Sequence, residues 1–254
     1  MLAVSQPVAQ SNAMPASLSP LPPAPAGQPF TRESLFDGSV MAALKACAPP
    51  DVRLRTQEEL DACLDATLAS HDPADDLYLF GYGSLMWNPA IHHIDAAPAL
   101  VRGWGRRFCL WLYMARGSVE HPGLMLALDR GGACRGIALR IAAEQVRSEL
   151  QLVWRREMLS GAYAARWVTA ECQGERRRML TFVANRAHPR YAGRMEPGEV
   201  ARYIADGRGA LGTCRDYFKH MVDALAELGV QDPEIERLGN ALSTASSTAG
   251  ATFS

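Results

Sequence analysis

The chain has 254 residues, 48% of them hydrophobic, enough for one sizeable domain with appendages or at most two small ones. Its 26 basic and 27 acidic side chains leave a net charge of −1, so no global field draws it to nucleic acid or to an anionic membrane. The six cysteines are scattered without a CxxC pair or zinc spacing, and no apolar run approaches the roughly 20 residues of a membrane helix, which suits reduced thiols in a cytoplasm.

Residues 1–28 are rich in Ala, Pro and Ser and carry no charge, and such a segment buries too little to offset its ordering entropy. They read as a disordered leader. Residues 29–76 read as a helical arm and linker: Thr56-Gln-Glu-Glu59 has the capping-box pattern, Leu60, Cys63, Leu64 and Leu68 follow at helical spacing, and His71 to Asp76 breaks the helix. From Leu77 to Leu242 the texture is that of a folded domain. Leu77 to Tyr82 is a short buried strand, and Leu100 to Trp111 is a strand with a glycine bend. Leu124 to Leu128 and Arg135 to Ile141 read as two strands joined by a hairpin turn at Asp129-Arg-Gly-Gly132. Glu144 to Met158 is an amphipathic helix, and Arg166 to Glu171 with Met179 to Ala184 form a second hairpin. Helices at Pro197 to Asp206, Thr213 to Leu228 and Pro233 to Leu242 close the domain, and residues 243–254 read as a disordered tail. Hairpin-paired strands with helices gathered at the end give an α+β fold on a largely antiparallel sheet, open or closed, without a βαβ repeat.

Two features carry chemistry. Phe80-Gly-Tyr-Gly-Ser-Leu85 follows the first strand, where two glycines permit unusual backbone angles and close approach of a ligand to the main chain. Successive N–H groups in such a loop can cradle a carboxylate, with Ser84 and Tyr82 adding hydroxyls; the alternative is a tight turn with no ligand. The third glycine of a dinucleotide fingerprint is absent. In the helix from Glu144, the residues Val146, Leu150 and Val153 form one face, and the next position on it is Glu157. A carboxylate that continues a buried stripe at the negative end of a helix should have its pKa raised towards neutrality, where a general base works best. The competing reading is a Glu neutralised by Arg155, Arg156 or Arg166, or exposed where the helix frays.

Other candidates carry less. His92-His93 lacks a third ligand at any recognisable spacing, and Cys109 reads as a core thiol. Trp111, Trp154 and Trp167 read as core. Arg102, Arg106 and Arg107 flank a strand, some solvating its edge, with Arg107 available to attract an anion. Tyr217 shares a face with Met221, Leu225 and Leu228, so its ring is buried and its hydroxyl reaches a pocket or a backbone group.

Taken together, the blocks FGYGSLMWNP at 80–89, RGWGRRFCLW at 102–111, HPGLMLALDRGGACRGIALR at 121–140, WRREMLSGAY at 154–163, TFVANRAHPRYAGR at 181–194 and GALGTCRDYFKHMVDALAELG at 209–229 resemble the ChaC family of glutathione-specific γ-glutamylcyclotransferases. The resemblance implies a small closed β-barrel of mixed or antiparallel strands with flanking helices, and a catalytic domain over 77–242. It implies Glu157 as the catalytic acid/base, Tyr82, Gly83, Ser84 and Leu85 as the loop that grips the γ-glutamyl group, and Tyr217 in the same pocket. It also implies glutathione as the small-molecule substrate, no cofactor and no metal. A monomer in the cytoplasm, with neither nucleic acid nor membrane as partner, completes the expectation. The rivals are a cyclotransferase for other γ-glutamyl amino acids or amines, and a non-catalytic regulator of cation transport.

Overall fold

The computed structural model describes residues 30–50 and 52–250; the expected leader at 1–28 lies outside them. Three short helices open it: α1 (Arg32–Phe36), α2 (Ser39–Ala46) and α3 (Gln57–Leu68). Thr56 caps α3 as its pattern predicts, accepting from the Glu59 amide while the Glu59 carboxylate accepts from the Thr56 amide. Then come β1 (Leu77–Gly81), β2 (Asp95–Leu112), β3 (Gly123–Ile141), α4 (Val146–Glu157), β4 (Tyr163–Cys172) and β5 (Glu175–Ala184). The chain ends on α5 (Pro197–Asp206), a two-residue ribbon of β6 (Arg208–Gly209) with β7 (Gly212–Thr213), α6 (Cys214–Glu227) and α7 (Pro233–Gly250).

The five long strands close into a barrel in the order β1-β3-β2-β4-β5. All neighbours along that order are antiparallel; closure is parallel, through Leu79 opposite Leu180 and Leu128 opposite Val183. A closed sheet has no free edge and turns one residue in two inward. Phe80, Phe182, Leu79, Leu128 and Ile137 are all fully buried. Helix α4 packs on this core through Trp154, whose ring meets Phe182 edge-on at 5.4 Å.

Asp129-Arg-Gly-Gly132 does not reverse the chain, and the two strands expected on either side of it are one strand. β2 and β3 pair from Asp95–Arg140 to Leu112–Gly123, with one register slip between Phe108 and Leu110 and another between Arg102 and Trp104. Gly131 (φ 97°) and Gly132 (φ 79°) lie at that slip, facing Gly103 (φ 83°). With a partner strand running past unbroken, positive-φ glycines make a bulge that bends the ribbon instead of turning it back. The second hairpin is tighter than expected: Gln173 (φ 52°) and Gly174 (φ 79°) form a two-residue turn, the geometry that matches strand twist.

At the C-terminus, Asp232 accepts from the Glu234 and Ile235 amides and starts α7. That helix continues to Gly250, so residues 243–250 are helical rather than part of a disordered tail; residues 251–254 lie outside the described chain. The hydroxyls of Ser243 and Thr244 donate to the carbonyls of Gly239 and Asn240 one turn back, so these residues bond within the helix instead of breaking it.

Candidate active site

The buried stripe of α4 is real. Val146, Leu150 and Val153 are buried, and Glu157 ends the same face with its side chain 14% exposed. Removal from water pushes the Glu157 carboxyl above its ordinary value, and Arg156 pulls it back only in part. Arg156 Nε stands 3.1 Å from Glu157 Oε1. The guanidinium is itself held in place: Nη1 donates to the Asn88 carbonyl at 2.6 Å, and the group lies over the Phe30 ring at 5.2 Å. Ion-pair partner and raised pKa, set against each other as alternatives in the sequence, therefore coexist.

The glycine loop approaches the same carboxylate. Ser84–Met86 form a single 3₁₀ turn directly after β1, closed by the Met86 amide donating to the Gly83 carbonyl at 2.8 Å. Neither Gly81 nor Gly83 takes a positive φ, but Gly83, at φ −132° and ψ −132°, lies outside the usual β and α regions, as the loop's glycines allow. Glycine also leaves space. A Cβ on Gly83 would stand 3.0 Å from the Tyr217 hydroxyl and 3.5 Å from Leu126 Cδ2. The loop is fixed from behind by Arg106, whose side chain is fully buried and whose Nε donates to the Tyr82 carbonyl at 2.8 Å. The rest of that guanidinium bonds the Arg135 carbonyl at 2.7 Å and the Asp232 carboxylate, tying the loop to the cap of α7. Arg106 is thus not a strand-edge solvating group; the ribbon bends it inward.

Two connected spaces meet at Glu157. A narrow inner chamber of about 20 Å³ is lined by Tyr82, Gly83, Ser84, Leu85, Leu126 and Phe182. An outer cleft of about 120 Å³, open to solvent, is walled by residues from the arm, the outer ends of β2 and β3, and the segments after α4 and β5. Ser84, Glu157, Tyr163 and Tyr217 line both and so mark the junction. The phenols of Tyr82, Tyr163 and Tyr217 are pushed well up, first by burial and then by neighbouring charges and phenols that include Glu157. They stay neutral donors around a single carboxylate. Tyr163 already donates to the Leu126 carbonyl at 2.6 Å.

Of the residues singled out in the sequence, Tyr82, Gly83, Ser84, Leu85, Glu157 and Tyr217 come together here. Arg107 does not. It lines neither space, and its Nε stands 3.9 Å from Asp129, which Arg186 also bonds at 2.7 Å. Arg106 and Phe108 take the face of β2 towards the loop and Tyr217, so alternation puts Arg107 on the other face. Cys109 is fully buried, and desolvation pushes its thiol up to about 12, which leaves it inert. Sequence reasoning missed Tyr163, Arg116 and Arg190. Each comes from a loop or strand end, where no periodicity marks an inward side chain.

The small closed barrel with flanking helices is the γ-glutamylcyclotransferase-like fold. A glutathione-specific γ-glutamylcyclotransferase structure from yeast superposes with a TM-score of 0.62 at 18% identity, covering 66% of this chain and 96% of that one. The ChaC-like protein family matches residues 77–245, and the chain belongs to that family. The Glutathione-specific gamma-glutamylcyclotransferase of Escherichia coli K12 is 35% identical over 210 residues, 82% of this chain and 90% of that protein. Glutathione-specific gamma-glutamylcyclotransferase 1 of Mus musculus is 33% identical over 175 residues, 66% of this chain and 78% of that one. The match of 210 residues to the bacterial protein is too long to fit from Leu77 onward, so it takes in part of the arm. The arm supplies Phe30 and Leu44 to the cleft wall.

Proposed function

We propose that this chain is a γ-glutamylcyclotransferase that cleaves glutathione to 5-oxoproline and Cys-Gly. The observation that carries the reading is the lone carboxylate of Glu157, its pKa raised by burial, at the junction of two spaces. In this reading the γ-glutamyl head lies at the junction against the glycine loop, and the outer cleft takes the dipeptide it is joined to. The names of the relatives agree with this substrate.

The substrate's α-amine attacks its own γ-carbonyl. A carbon–nitrogen bond forms to close the five-membered lactam, and the amide bond to cysteine breaks. The attacking nitrogen passes from ammonium to lactam N–H, while the departing one passes from amide N–H to ammonium. Two protons cross between them and no water is consumed. The amine is protonated at neutral pH and cannot attack until a base relieves it. Glu157 takes that proton and returns one to the leaving nitrogen, a switch of role that a carboxyl with a raised pKa favours. Holding the glutamyl chain curled against Tyr82, Gly83 and Ser84 supplies the rest, since well-oriented internal attack is worth up to about 7–11 kcal/mol. The neutral phenol of Tyr217 is the donor available to the oxyanion that develops on the γ-carbonyl, while the Tyr163 hydroxyl is held by the Leu126 carbonyl. A cytoplasm, where glutathione is abundant and reduced, fits six cysteines that are all unpaired.

The test is product analysis. Purified protein with reduced glutathione should release 5-oxoproline and Cys-Gly in equal amounts, with or without chelator. Glutamate in place of 5-oxoproline, or activity lost to the chelator, overturns the reading.

A further inference from the structure

The outer cleft holds positive charge that the cyclisation does not use. Arg116, Arg156 and Arg190 line it, and Glu157 is the one carboxylate among its lining residues. Arg156 is engaged by Glu157. Arg190 is different. It is 8% exposed, and among the described residues no carboxylate pairs with it. Its Nε donates to the Trp111 carbonyl at 2.5 Å and its Nη1 to the Ser160 hydroxyl at 3.0 Å. Those two bonds fix the plane of the guanidinium and leave further N–H donors over. A buried guanidinium without a counter-ion is costly, and a fixed, unneutralised fork in a cleft wall is built for an incoming carboxylate. Arg116, whose Nη1 donates to the Thr213 carbonyl at 3.2 Å, adds a second positive charge to the same space.

The location identifies the carboxylate. The γ-glutamyl head sits at Glu157, with its own α-carboxylate towards the glycine loop. The bond to be cut lies at the junction, so what extends into the outer cleft is the departing half of the substrate. For a γ-glutamyl dipeptide conjugate that half ends in a second carboxylate.

We propose that Arg190, supported by Arg116, receives the C-terminal carboxylate of the leaving dipeptide, and that this contact selects such conjugates over γ-glutamyl amines and amides. The proposal rests on the cyclotransferase reading.

The experiment compares glutathione with its C-terminal glycine amide, which differs only in the charge at that end, by 5-oxoproline release. The wild type should favour the free acid by about 10–100-fold in kcat/KM, the usual worth of a charge-assisted contact. Arg190→Gln should bring the ratio of the two substrates close to one, with glutathione losing through KM more than kcat. Arg190→Lys keeps the charge without the fork and should retain an intermediate preference; it decides the matter if the Gln variant does not fold. A wild type that uses both substrates equally well overturns the proposal. So does a folded Arg190 variant with the full preference. If neither substrate yields 5-oxoproline, the cyclotransferase reading falls, and the proposal with it.

Discussion

Glu157→Gln separates chemistry from architecture. Gln has the same shape, so its carbonyl oxygen can still accept from Arg156 Nε, now 3.1 Å from the carboxylate. Two opposed terms decide the effect on stability. At that distance the ion pair is worth about 5 kcal/mol of gross attraction at an effective dielectric constant of about 20. Desolvating the two ions costs several kcal/mol each. The raised pKa of Glu157 says that in the folded protein desolvation outweighs the pull of Arg156, so removing the charge does not remove net stability. The variant should keep its thermal midpoint within a few degrees at neutral pH and still bind glutathione. It should lose about 10²–10⁴-fold in kcat, or about 2.7–5.5 kcal/mol of barrier lowering. Thermal midpoint and kcat are read on one sample. A variant with near wild-type kcat per folded molecule would remove Glu157 from the reaction and show the buried stripe to be structural only.

The same carboxylate makes both rate and stability depend on pH. Between the ordinary carboxylate value and the raised folded value, the native state holds a proton that the unfolded chain has lost. Wild-type stability should therefore fall as pH rises through that window, and the Gln variant should not show this loss; parallel stability curves for the two would contradict it. The acid limb of the kcat profile should have its midpoint above the ordinary carboxylate range. Gly83→Val places a Cβ 3.0 Å from the Tyr217 hydroxyl and methyls further into the chamber, so substrate affinity should fall at least about tenfold in a protein folded by circular dichroism. Unchanged affinity would make the loop only a turn. Arg106→Met strips the fully buried partner of Tyr82, Arg135 and Asp232 and should cost about 3–5 kcal/mol, a fall in thermal midpoint on the order of 10 °C. A loss under about 3 °C would show that the loop is anchored elsewhere.

Local pattern carried the helices and the central site residue. The Thr56 capping box, the start of α7 at Asp232 and the stripe that ends in Glu157 all depend on spacings within one or two turns, which a sequence displays directly. What failed depended on distant partners. Asp129-Arg-Gly-Gly132 has turn chemistry, and only the unbroken ladder with β2 makes it a bulge. Arg106 and Arg107 are adjacent on one strand, so alternation sends them to opposite faces, but only barrel closure decides which is buried. Arg190 reaches the cleft by bonding the Trp111 carbonyl, 79 positions away in the chain, and no periodicity reports that.

In the proposed reaction the attacking group is the substrate's own amine and not water. Turnover of glutathione in ¹⁸O-enriched water tests this directly, because a hydrolase leaves a solvent oxygen in its product and an internal cyclisation does not. Mass spectrometry should find 5-oxoproline at its unlabelled mass beside Cys-Gly. Glutamate carrying one ¹⁸O in its γ-carboxylate would contradict the account.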